Sequence, residues 1–188
     1  MNSVKTFFLK AAHWQLFILM AAMYFANWLV GVSVIGIEPV PVKNIPALTM
    51  LFIQATGMIT LGIFFAWLWA MGSFLNSLVK PMLRLNFGLF RFALIFPLVY
   101  GLAFPFVAWA PKVFNFYIIL PIHLFVMFCV LYAFRFVAKS LALQEEVRFL
   151  TFRDYYRAFF LLWFFPIGVW WIQPKINRLY LAQVNQPT

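Results

Sequence analysis

Acidic side chains are almost missing from this chain: of 188 residues only Glu38, Glu145, Glu146 and Asp154 carry a carboxylate. None sits in the middle of an apolar run, so a proton-driven transporter or ion pump, which relies on intramembrane carboxylates, has no candidates. A carboxylate pair for hydrolysis is equally unsupported. Cysteine occurs once, as Cys129 deep in an apolar run. That excludes an intrachain disulfide or a thiolate metal site and suits core packing. There is no Walker loop, no dinucleotide fingerprint, no His-Glu-x-x-His pair and no nucleophile elbow. No catalytic, cofactor-binding or metal-binding residue is therefore expected, and an enzyme is the least supported class.

What is abundant decides the class. Hydrophobic residues make up 66% of the chain and charged residues 10%, where a water-soluble domain has about half and about a quarter. This is the composition of an integral membrane protein, and segments of about 20 residues use up nearly all of it. Residues 1–188 are read as a single membrane domain. The net charge of +10 does not point to nucleic acid, because the basic residues flank apolar runs and do not cluster on an aromatic-bearing soluble module.

The first run, Ala11 to Ile37, is too long for a signal-peptide core and is expected to stay as an anchor. "EPVPVKNIP" (38–46), rich in proline, reads as a loop. The second run, Ala47 to Val79, would reach ~50 Å at helical rise against a ~30 Å hydrocarbon core, so it must tilt or project into water. A third run, Phe92 to Ala110, carries Pro97 and Pro105, tolerable in a membrane helix if neighbours satisfy the freed carbonyls. Pro111-Lys112 joins it to the fourth, Val113 to Ala138, as an antiparallel hairpin.

Orientation follows from the Lys/Arg count. With the N-terminus inside, Lys5, Lys10, Lys80, Arg84, Arg91, Arg135, Lys139, Arg148, Arg153 and Arg157 lie inside, and only Lys43 and Lys112 outside. The bias places the N-terminus in the cytoplasm. "TFRD" (151–154) has the spacing of a capping box and predicts a helix starting near Phe152. The apolar part that follows, Ala158 to Ile172, is roughly 22 Å long as a helix, short for a crossing, and Pro166 and Gly168 interrupt it. Tyr155/Tyr156 and Trp170/Trp171 resemble interface anchors at two surfaces and favour a tilted fifth crossing. The preferred reading is a re-entrant or interfacial hairpin turning at Pro166-Ile167-Gly168, with the C-terminus inside. The expected fold is an all-α bundle of four transmembrane helices plus this short C-terminal segment.

"HWQLF", "AWLWAMGSFLN", "PIHLFVMFCVLYAFRFVAKSL" and "FFPIGVWWIQPKINR" together resemble a family of small multi-spanning inner-membrane proteins of Bacteroidota. The resemblance covers about half the chain and implies a bacterial inner-membrane location. It carries over no activity and no catalytic or binding residue.

Few polar groups remain as site candidates. His13 lies at the inner edge of the first helix and His123 in the fourth, at depths that differ by ~12 Å, so a shared haem is not expected. His13 reads as an interface anchor. His123 and Gln54 are the intramembrane polar candidates: His123 suits a hydrogen bond within the bundle, with a ligand or gating role as the alternative, and Gln54 a hydrogen bond between helices. Gly62, Ala66 and Ala70 recur every four residues and form a small-residue face for close helix packing, inside the chain or between copies. The polar stretch 139–157 reads as an amphipathic element at the headgroups, with Lys139, Arg148, Arg153 and Arg157 facing anionic lipid or a protein partner.

The function these features favour is structural or accessory: helix packing within a homo-oligomer or a larger membrane complex. The alternative is a pore or small-molecule transporter with a basic cytoplasmic face.

Overall fold

The structure, a computed structural model, describes residues 3–35, 47–108, 116–146 and 148–185. It is all-helical, 91% helix, with no strand among the described residues. The helices are α1 (Ser3–Lys10), α2 (His13–Ile35), α3 (Ala47–Leu78), α4 (Phe87–Ala108), α5 (Phe116–Glu145), α6 (Phe152–Trp163) and α7 (Phe165–Val184), with a 3-10 turn at Pro81–Leu83. Among the described residues three stretches are long and apolar enough to cross a membrane: Leu51–Leu78 in α3, Phe87–Phe104 in α4 and Tyr117–Glu145 in α5. A fourth is added only if α1 and α2, bent by 108°, count as one span. The expected loop at 38–46 and the Pro111-Lys112 connection lie outside the described residues.

The long helix α3 is central and packs against α1, α2, α4 and α5. Its apolar residues surround the whole helix, as expected of a helix with protein or lipid on every side. The tightly buried core sits at one end, where Trp67, Leu68, Met71 and Leu75 of α3 meet Phe136 and Val137 of α5 and Ile172 and Ile176 of α7. In the other half α2, α4 and α5 present large apolar side chains outward, among them Tyr24, Val99 and Phe128.

Local chemistry sets the α3–α4 turn. Arg84 donates from Nε to the Val79 carbonyl at 3.1 Å and from a terminal nitrogen to Ser77 O at 3.3 Å, closing the C-terminal carbonyls of α3. Asn76 Oδ1 accepts the Leu85 N–H, and Asn86 Oδ1 accepts the Leu89 N–H at 3.1 Å as the cap of α4. The two helices can close on each other because Gly72 has no side chain: a β-carbon there would overlap the Phe90 ring. That ring stacks on Phe136 of α5 with centroids 4.1 Å apart.

A separate helix, α1, precedes the first long run, at residues for which the sequence reading gave no element. Two sequence expectations are corrected. The stretch 139–157 is not one amphipathic element: α5 runs on past Ala138 to Glu145 because Leu141 and Leu143 are buried in the core and Gln144 Nε2 donates to Leu75 O of α3 at 3.2 Å. The C-terminal turn is at Phe164, not at Pro166-Ile167-Gly168; Phe164 (φ −89°, ψ 59°) ends α6 and precedes α7. Pro166 sits in the first turn of α7, where a missing N–H costs nothing. Gly168 is helical and serves close contact, since a β-carbon on it would overlap the Leu161 carbonyl. The capping box does close: Asp154 Oδ2 accepts the Thr151 N–H at 2.6 Å, and α6 starts at Phe152.

Candidate functional site

The most connected polar group in the interior is Gln173 of α7, which is fully buried. Its Oε1 accepts the indole N–H of Trp67 at 2.9 Å. Its Nε2 lies 2.8 Å from Phe8 O, 3.1 Å from Ala11 O and 2.8 Å from Asn177 Oδ1. Asn177 Nδ2 also donates to Ala11 O at 3.1 Å. Phe8 lies in the last turn of α1 and Ala11 just beyond it, where carbonyls have no helical partner of their own. One side chain therefore caps α1, ties it to α3 and α7, and holds the bend into α2. A glutamine within "WWIQPKIN" was the available sequence signal, but apart from Asn177 its partners lie 106 to 165 residues away.

Gln54, expected to bond between helices, does so: Nε2 donates to the Gly101 carbonyl of α4 at 3.2 Å. Pro105 has no N–H to offer that carbonyl, so Gln54 satisfies the acceptor that the proline frees. His123 pairs with Tyr100 of α4, Nδ1 to hydroxyl oxygen 3.2 Å, on the exposed side of α4 and α5. His13 packs on Trp170 with ring centroids 4.6 Å apart. The small-residue face is mixed: Ala70 is buried within the chain and Ala66 half-buried, but a β-carbon on Gly62 would meet nothing within 4 Å. Cys129 is buried, as core packing requires.

The basic candidates are not brought together. Lys139 is half-buried on α5. Arg148 is engaged within its own loop, Nε to Glu146 at 2.6 Å and a terminal nitrogen to Asp154 at 2.8 Å. The Thr151 backbone N–H and then the Arg148 guanidinium hold the Asp154 carboxyl below its ordinary range. Arg153 and Arg157 stand exposed on α6, and Lys175 of α7 pairs with Glu145 at the end of α5, 2.8 Å away.

An open groove of roughly 950 Å³ lies between α2 and α3, lined by Phe17, Tyr24, Gly57, Leu61 and Phe64, with Phe165 and Pro166 at the start of α7 also facing it. Its walls are almost wholly apolar, which suits hydrocarbon and not a path for ions. Among the described residues no group of three or more His, Cys, Asp or Glu side chains could hold a metal ion. The arrangement suits helix packing and contact with lipid. No family model, curated protein or solved structure matches this chain.

Proposed function

We propose that this chain is an accessory subunit of a bacterial inner membrane, acting through helix packing in a homo-oligomer or a larger membrane complex. The observation that carries this reading is the Tyr100–His123 pair. It sits among exposed apolar side chains, including Val99, Leu120 and Leu124, and His123 makes no other hydrogen bond among the described residues. A half-satisfied imidazole facing hydrocarbon is costly, and polar groups at such depths normally face another helix. Covering the α4–α5 face with a second membrane helix removes that cost.

In mild detergent the protein should run as a species larger than its own 22.0 kDa. His123→Leu should weaken that association roughly 3- to 30-fold, the range for one interhelical hydrogen bond in a bilayer, and, through loss of the Tyr100 bond, lower subunit stability by only about 0.6 kcal/mol. A monomer of the same size in both forms, measured by light scattering, would sink the proposal.

The topology that goes with it has four crossings, a cytoplasmic N-terminus and a re-entrant α6–α7 hairpin. The charge bias supports the orientation. The hairpin reading is supported by the return of α7 to the C-terminal ends of its neighbours, with Lys175 on Glu145 of α5 and Tyr180 against Phe74 of α3. In a Cys129→Ser background with the outer membrane permeabilised, Asn185→Cys and Lys80→Cys should both resist a membrane-impermeant thiol reagent until the inner membrane is opened. Labelling of Asn185→Cys in closed cells would mean that the segment crosses.

A further inference from the structure

The α6–α7 hairpin carries a second groove of roughly 450 Å³. Tyr156, Arg157 and Phe160 wall it from α6, Ile167 and Trp171 from α7. Ile167 is 61% and Trp171 67% exposed, which marks this as a surface meant for an apolar neighbour. Polarity changes in one direction along the exposed side of α6: Arg153 and Arg157 come first, then Phe160 towards the turn.

The charge at the base is not spent within the chain. The ion pairs among the described residues use Arg148 and Lys175, and neither Arg153 nor Arg157 takes part in one. Arg157 donates from Nε to the Tyr156 hydroxyl at 3.2 Å and lies 5.9 Å from that ring's centre. This contact orients the guanidinium at the mouth of the groove, and its terminal nitrogens make no hydrogen bond among the described residues.

We infer that the groove binds one anionic glycerophospholipid, its phosphate on Arg157 with Arg153 adding charge, and an acyl chain lying along Phe160 and Ile167. A basic base and an apolar tip follow the polarity of a single lipid from headgroup to chain, and arginine is suited to bonding phosphate oxygens in pairs. The site rests on the re-entrant reading, whose own failure is read by labelling at Asn185 and not by lipid retention.

The test uses the full chain in mild non-ionic detergent, with dioleoyl phosphatidylglycerol and dioleoyl phosphatidylcholine as probes and native mass spectrometry as the readout. The protein should retain one phosphatidylglycerol in preference to phosphatidylcholine. Each arginine should contribute roughly 5-fold, so the Arg153→Gln/Arg157→Gln variant should lose the preference. Ile167→Glu should reduce retention of both lipids, and Lys80→Gln should change neither. Equal retention of the two lipids by the unaltered protein, or an undiminished preference in the double variant, overturns the proposal.

Discussion

Gly168→Ala is expected to destabilise the folded chain by about 3 kcal/mol, the upper end of over-packing costs. The added β-carbon would overlap the carbonyl of Leu161, a backbone atom in the opposite arm of the hairpin. Backbone cannot rotate away as a side chain can, so the two arms must part. Val169 and Leu162, both buried, then lose their packing. At Gly72 the obstacle is the ring edge of Phe90, which can shift at the expense of its stack on Phe136. Gly72→Ala should therefore cost less, about 1 to 2 kcal/mol. Thermal unfolding of both variants in the same detergent checks the order. A Gly168→Ala protein within roughly 0.5 kcal/mol of the parent, the scatter of neutral surface changes, would mean that the arms do not touch there.

Gln173→Leu should cost about 3 kcal/mol, because it conserves volume but orphans groups that stay buried. Trp67 loses the acceptor of its indole N–H, and the Phe8 carbonyl loses its donor. The Ala11 carbonyl keeps Asn177. The damage should appear first at α1, as faster hydrogen exchange over Ser3–Lys10 and earlier proteolysis there. In a Trp67→Phe background the same substitution should cost less, since the stranded indole N–H is gone. The size of that coupling, read from a double-mutant cycle, measures the link between α3 and α7. Strictly additive losses would show that the two side chains do not interact.

The long helices were legible in the chain. The run from Ala47 to Val79 is α3, Ala47–Leu78, because an apolar stretch bounded by proline and lysine leaves few alternatives. The capping box before Phe152 was equally legible, since its partners are three residues apart. Gln54 was legible as an interhelical bond, but its acceptor was not. That acceptor is decided by a proline on another helix 51 positions later in the chain. The C-terminal turn was misjudged by a few residues because Pro and Gly were read as turn formers. Pro166 instead opens a helix, and Gly168 makes room for a carbonyl.

Composition alone settled the all-helical class and the apolar helices, because hydrophobicity and charge are summed over a segment whatever its neighbours do. The separate helix α1, the buried network on Gln173 and the two glycine contacts were decided only by the tertiary structure. Each depends on which backbone atoms of distant segments come within reach, and the spacing of residues along the chain does not encode that distance. The small-residue face shows the limit best. Gly62 and Ala70 obey the same four-residue period, yet Ala70 is buried and Gly62 looks onto open space, because the neighbours of α3 close around one half of it and not the other.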